Sequence, residues 1–374
     1  MRVLFSATPG EGHVRPLLPV ARALAARGHE VAFATGASWS GRLEDIGFPV
    51  LPSGIEVAEA RAHIDREELQ AVAPGDKRLY LFPRIFGRGM APAKTPELLR
   101  HAREWKPDAV VHESSDLAAP IVAATLGLPT VNHSFGAMVP RRVSAAAAEV
   151  VAPLWRDHGL EPDPYAGAFL GLYVDVAPPS LASAEPEGLS TRLRLVERAT
   201  SPAPPPAGVD VPCVYATLGT IFNEPTMFRV LLDTLEGLPA VVTMGRGGSV
   251  EGPVPDGVVV AEFLPQEDVL PHTSAVVFHG GSGTMLGALA HGLPLVILPQ
   301  GADQFDNAAL CELAGVAVVV LPAEADTGSV RAALDRVLSE PPFTEAAARI
   351  AAEIAAMPSA DEVAERIEVH AAAG

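Results

Sequence analysis

Six consecutive residues, His279-Gly280-Gly281-Ser282-Gly283-Thr284, put an imidazole and two hydroxyls among three glycines. A short apolar run, Ala275 to Phe278, precedes them and reads as a buried strand. Met285, Leu286, Leu289 and Ala290 follow at helical spacing, and Gly292 stops the helix. Leu293 to Leu298 is a second apolar run, so the order is strand, turn, helix, strand. A helix that opens on such a turn presents unbonded N–H groups and its positive dipole end, which favour an anion. Glycines let the backbone come close to that anion. His279, Ser282 and Thr284 add side-chain donors, and the stretch fits a diphosphate cradle. The plainer alternative is a tight βα turn whose glycines serve packing alone.

His13 is the second residue with chemistry in it. It stands where an N-terminal strand (Arg2 to Ser6) meets its helix (Val14 to Arg27). In a common doubly wound order that strand lies beside the one at Asp108 to Val111. Glu113 and Asp116 follow the latter at the same sheet edge. A carboxylate there can hold one imidazole nitrogen, fix the tautomer and raise basicity, so that the other nitrogen acts as a base. Glu113, nearest the strand end, is the first choice of partner. Asp116 is the second, with capping of the next helix as its other reading.

Both candidates depend on strands that alternate with helices. In the first half the strands are Arg2 to Ser6, Glu30 to Ala34, Val50-Leu51, Asp108 to Val111 and Pro129 to Asn132. Leu117 to Leu126 reads as a helix, and Leu79 to Arg103 as a partly helical stretch broken by Pro83, Pro92 and Pro96. The polar, irregular stretch Ile55 to Lys77 reads as a loop or loose helices over a site. Ser201-Pro202-Ala203-Pro204-Pro205-Pro206 is a linker, because clustered prolines resist both helix and central strand. The second half repeats the pattern at Pro212 to Thr217, Ala240 to Met244, Val258 to Ala261, Ala275 to Phe278, Leu293 to Leu298 and Val316 to Val320. This predicts an α/β protein of two doubly wound, Rossmann-like domains facing a central cleft. The predicted division is residues 1–200, a linker at 201–210, residues 211–358, and a C-terminal helix at 359–374 that packs back toward the first domain.

Composition narrows the function. A chain of 374 residues suits two domains at roughly 150 residues each. A net charge of −18 argues against nucleic acid or an anionic membrane as partner. Cys213 and Cys311 are too few and too distant for a disulfide framework or a cysteine zinc site. There is no signal peptide and no bilayer-length apolar run, so the expected location is cytoplasmic. Gly10-Glu11-Gly12 is not a dinucleotide fingerprint, because Arg15 occupies the third glycine position and no acidic residue ends the second strand. Thr284 likewise rules out a nucleophile elbow at Gly280 to Thr284. No Walker A loop and no Asp-x-Asp pair occur, so no metal and no cofactor are expected.

These motifs resemble those of the family-1 glycosyltransferases of GT-B fold, especially the actinobacterial enzymes that glycosylate antibiotics and other natural products. The resemblance spans nearly the whole chain. It rests on Gly10-Glu11-Gly12-His13, Ala216-Thr217-Leu218-Gly219-Thr220, Phe263-Leu264-Pro265-Gln266, His279 to Thr284, and Asp303-Gln304-Phe305-Asp306-Asn307-Ala308. It implies inverting transfer from a nucleotide-sugar, with a dTDP-deoxysugar ahead of a UDP-sugar, to a small-molecule aglycone. His13 would be the base. Thr220, His279, Gly281, Ser282, Gly283 and Thr284 would lie at the diphosphate. Phe263, Leu264 and Gln266 would lie at the nucleobase, and Asp303 and Gln304 at the sugar hydroxyls. Asp303 emerges one strand along from the His279 turn; its other reading is a cap on the helix from Gln304 to Leu313. The family usually has Asp where Glu113 stands, so this chain departs from the pattern at the partner of His13. Acceptor contacts are expected from Ile55 to Arg88 and Phe135 to Leu172. The competing functions are a sugar-nucleotide epimerase on the same fold and a noncatalytic auxiliary protein of a transferase. A homodimer is compatible with any of these.

Overall fold

The computed structural model describes residues 1–182, 186, 188–198, 203–219, 225–245, 248 and 252–373. The chain forms two compact units. The first comprises Met1–Ala177, Ser183–Leu195 and Pro358–Gly374, and the second Pro178–Ala182 and Val196–Met357.

Unit 1 contains a parallel sheet of six strands: β1 (Arg2–Ser6), β2 (Glu30–Ala34), β3 (Ala109–Glu113), β4 (Thr130–His133), β5 (Leu172–Asp175) and β6 (Ser190–Arg192). Their order is β2-β1-β3-β4-β5-β6. Val3, Leu4 and Phe5 of β1 and Val110 and Val111 of β3 have no exposed surface, as strands covered on both faces require. Between β1 and β2 lie the single turn α1 (Glu11–Val14) and α2 (Leu18–Ala26). Then follow α3 (Ala91–Trp105), α4 (Ala119–Leu126) and α5 (Arg141–Asp157). Leu98, Ile121, Val143, Val151 and Trp155 from these three helices pack in one core with Leu4 and Val110 of the sheet.

Two expectations for this half fail, and three elements were not foreseen. Val50 forms an isolated bridge to Phe33 and not a strand, although Phe33 N–H donates to the Pro49 carbonyl and Leu51 N–H to the Phe33 carbonyl. The prolines do not break the stretch Leu79 to Arg103: Lys77–Phe82, Pro83–Met90 and α3 run on from one to the next. Pro83 and Pro92 sit in first-turn positions, where no N–H is needed, and only Pro96 lies inside a helix. β5, β6 and α5 were not foreseen. The stretch Ile55 to Lys77 forms short helical pieces such as Val57–Ala60 and Arg66–Ala71.

Unit 2 holds β7 (Cys213–Thr217), β8 (Ala240–Thr243), β9 (Val258–Ala261), β10 (Thr273–Phe278), β11 (Leu295–Ile297) and β12 (Ala317–Val319), all parallel. Their order is β12-β11-β10-β7-β8-β9. Its helices include α6 (Pro225–Thr234), α7 (Ser282–Ala290), α8 (Gln304–Leu313), α9 (Thr327–Ser339) and α10 (Pro341–Ala356). The last helix, α11 (Ala360–Ala373), belongs to unit 1 and lies against α2. Arg27 grips Glu368 there with two bonds of 2.8 and 2.9 Å, and His29 Nε2 is 2.6 Å from the same carboxylate. These bonds hold the Glu368 carboxyl at about 2. Among the described residues, no helix is long and apolar enough to cross a membrane.

Candidate active site

In each unit the strand order reverses once, and there the turns after two neighbouring strands diverge and leave a crevice. In unit 1 this happens between β1 and β3, where Ser6 pairs with His112. The turn after β1 leads to α1 and His13; β3 ends on Glu113, and Ser115 and Asp116 follow in the turn after it. His13 Nδ1 lies 3.3 Å from Glu113 Oε2 and 3.1 Å from Ser115 Oγ. The imidazole is flanked by Phe135, edge-on with ring centres 4.8 Å apart, and by Phe86 at 5.9 Å.

Glu113 is fully buried. Thr8 N–H donates to its Oε1 at 3.0 Å, and Ser115 N–H to its Oε2 at 2.7 Å. The Ser115 hydroxyl lies within 2.8 Å of both oxygens. Burial pushes this carboxyl up, but the His13 charge and the bonds from His13 and Ser115 outweigh burial and hold it at about 2. Glu113 is therefore the carboxylate at His13, ionised throughout the neutral range.

Asp116 takes the other role foreseen for it. Its Oδ1 accepts Ala118 and Ala119 N–H at the head of α4, both at 3.2 Å. Its Oδ2 accepts from Ser6 Oγ at 2.6 Å and from Lys94 Nζ at 2.7 Å. Lys94, on α3, also donates to the carbonyls of Ala7 at 2.8 Å and Ala34 at 3.1 Å. This buried ion pair ties α3 to the ends of β1 and β2 directly beneath the turn to His13. The sequence reading missed it. The available signal was a lysine inside the apolar stripe Ala91, Leu98, Ala102 of an amphipathic helix.

In unit 2 the order reverses between β7 and β10, where Thr217 pairs with Phe278. His279 leaves β10 at that point. A Cβ on Gly219 would lie 2.6 Å from its ring and one on Gly281 2.5 Å, so these two glycines make room for the imidazole itself. Gly280 has φ +91°, which only glycine adopts without strain. A Cβ on Gly283, by contrast, would meet nothing within 4 Å. Burial pushes the His279 imidazole down to about 4, against the Asp303 charge and a backbone hydrogen bond with Thr217. It is neutral at pH 7, a hydrogen-bonding group and not a cation. Its Nδ1 is buried and has no partner among the described residues.

The remaining donor-side residues gather around α7. Gln266 Nε2 donates to Thr284 Oγ1 at 2.8 Å. Phe263 on the same loop is more than half exposed, and Leu264 is half-buried. Asp303 heads α8 but its side chain makes no cap bond. Its Oδ2 instead accepts from Ser282 Oγ at 2.8 Å and from Asn307 Nδ2 at 3.2 Å. Asn307 also donates to the Gly280 carbonyl at 2.9 Å, which binds the glycine turn to α8. Gln304 is buried, and its Oε1 accepts the N–H groups of Gln300 at 2.7 Å and Gly301 at 3.0 Å. Its acceptor half is committed to its own loop; only its NH₂ group remains for a ligand. Thr220 lies outside the described residues. Among those described, no group of three His, Cys, Asp or Glu could hold a metal ion.

Two family models match this chain. Residues 22–197 match the N-terminal domain, and residues 231–369 the C-terminal domain, of the family described as erythromycin biosynthesis protein CIII-like. The elloramycin glycosyltransferase ElmGT of Streptomyces olivaceus is 33% identical across 98% of this chain and 97% of its own. The L-demethylnoviosyl transferase of Streptomyces niveus is 31% identical across 98% and 97%. The glycosyltransferase SsfS6 of Streptomyces sp. SF2575, solved with thymidine diphosphate, superposes with a TM-score of 0.77 at 30% identity over 99% of both chains. VinC, solved with dTDP, gives 0.80 at 26% identity over the full length of both. With family-model matches in both halves and such relatives along its whole length, the chain belongs to the erythromycin biosynthesis protein CIII-like family and is a GT-B glycosyltransferase of natural-product biosynthesis.

Proposed function

We propose that this enzyme moves a deoxysugar from a dTDP-sugar to a hydroxyl of a small-molecule aglycone, with inversion and without a metal. The observation that carries the reading is the His13 imidazole, held at Nδ1 by Glu113 and Ser115 at the point where the strand order of unit 1 reverses. With Nδ1–H donated to these oxygens, Nε2 is the nitrogen that takes the acceptor proton. The acceptor oxygen then attacks the anomeric carbon, the bond from that carbon to the diphosphate oxygen breaks, and nucleoside diphosphate departs. The first N–H groups of α7 receive its growing negative charge, a fixed dipole standing where a metal ion would otherwise serve. Thymidine diphosphate in two similar solved structures supports dTDP as the nucleotide. In this reading the Asp303 carboxylate, which Ser282 and Asn307 anchor, accepts from a sugar hydroxyl. A cytoplasmic site of action belongs to the same reading.

The test is a mass-spectrometric screen of dTDP- and UDP-sugars against a panel of aglycones. The expected result is an aglycone heavier by one sugar residue, with equimolar release of dTDP. Conversion of the donor to another nucleotide-sugar without acceptor would mean an epimerase. Turnover appearing only on addition of a second protein of the family would mean an auxiliary role.

A further inference from the structure

Glu113 does not face His13 alone. The direct separation, 3.3 Å from Nδ1 to Oε2, is longer than the about 2.7–2.9 Å of a strong charge-assisted bond. Ser115 Oγ is nearer the imidazole, at 3.1 Å, and nearer still to the carboxylate, at 2.7 and 2.8 Å. Ionised Glu113 only accepts hydrogen bonds. The single hydroxyl hydrogen of Ser115 therefore goes to Glu113, and its oxygen accepts from His13 Nδ1–H. The Thr8 hydroxyl, 3.4 Å from Ser115 Oγ, is too distant to compete. Ser115 is itself buried, and its N–H donates to Oε2, so it has little freedom to turn away.

We propose that Ser115 is a positioning residue that bridges the base and its carboxylate: its hydroxyl accepts the Nδ1–H of His13, donates to Glu113, and so fixes the imidazole tautomer. This rests on the reading of His13 as the base. The Glu113 carboxylate sits in a pocket lined by Thr8 N–H and Ser115 N–H, and the serine oxygen supplies the acceptor directly at the ring.

The experiment is ring-¹⁵N histidine NMR on the whole protein, with the His13 signals assigned by their loss in His13→Gln. Wild type should show His13 as the Nδ1–H tautomer. In Ser115→Ala the two tautomers should mix and kcat/KM should fall about tenfold, a fraction of the about 10²–10⁴-fold that a positioned base supplies. Calorimetric affinity for dTDP should stay unchanged. Ser115→Thr, which keeps the hydroxyl, should restore the single tautomer. Should Ser115→Ala not fold, Ser115→Cys carries the same expectation, because a thiol is a poor bridge. A pure Nδ1–H tautomer with wild-type kcat/KM in Ser115→Ala would overturn the proposal and leave Glu113 as sole partner. Loss of the base reading is separate: it would appear as full turnover in His13→Ala, whatever the tautomer.

Discussion

Replacing Lys94 with Met takes away an ammonium that three buried acceptors share: Asp116 Oδ2, the Ala7 carbonyl and the Ala34 carbonyl. Both ionic side chains are at most 5% exposed, so water cannot take its place. Asp116 keeps Ser6 Oγ and two N–H groups, but its charge is left uncompensated. Ala34 keeps the Ala7 N–H on its carbonyl. Breaking a buried pair in this way costs about 3–5 kcal/mol. For a unit of this size each kcal/mol moves the melting midpoint by about 2–4 °C, so a fall of roughly 10 °C is expected. All three tryptophans, Trp39, Trp105 and Trp155, lie in unit 1, so their fluorescence follows the unfolding of that unit alone. Lys94→Met combined with Asp116→Asn removes the stranded charge and should recover most of the loss. Lys94→Met within about 1 kcal/mol of wild type, the range of an exposed pair, would refute the argument.

Other outcomes follow from the same geometry. Glu113→Ala should lower kcat more than Asp116→Asn, since only Glu113 reaches His13; equal losses would return Asp116 to the site. Burial holds His133 and His279 at about 4, below the ordinary 6.5, so the stability they confer is complete above pH 6.5 and is lost as pH falls toward 4. Each is worth about 3 kcal/mol over that window, and a melting temperature flat from pH 6.5 to 4 would contradict this. Asp303→Asn keeps an oxygen for Ser282, so dTDP affinity should hold, while discrimination among donor sugars drops by about tenfold or more, from the roughly 1.5–3 kcal/mol of a bond to a charged group. Kinetics unchanged across a sugar panel would remove Asp303 from that role. EDTA should leave the transfer rate unaltered, and loss of activity restored by Mg²⁺ or Mn²⁺ would oppose the proposed use of the α7 N-terminus.

The parts legible beforehand were those written in local pattern. β1, β3 and β10 are short apolar runs, and Glu113 at the end of β3, His279 just past β10 and His13 in the first helical turn after β1 lie at the sheet edges that such runs predict. β6 could not be read: Ser-Thr-Arg at a sheet edge has no apolar signal. Pro96 and Pro153 disguised α3 and α5, where tertiary packing overrides the cost of a missing N–H. Side-chain partners were less legible than strands. Glu113 and Asp116 are three residues apart and chemically alike; Thr8 and Ser115 hold the first at His13, while Lys94 on a distant helix, Ser6 and the head of α4 hold the second. Gln304 is expected at the sugar hydroxyls; its carbonyl closes its own loop, which leaves its NH₂ group for such a contact. Gly281 reads as one of the glycines that let the backbone approach an anion; the His279 ring also lies in the space beside it, as it does beside Gly219.

The central claim is that His13 acts on the acceptor and not on the donor. One comparison tests it: steady-state transfer by wild type and His13→Ala to an unactivated aliphatic hydroxyl, with dTDP affinity of each measured by calorimetry. The account predicts equal dTDP affinity and a kcat lower by about 10²–10⁴-fold in the variant. Wild-type kcat in His13→Ala, or a loss confined to dTDP binding, would contradict it.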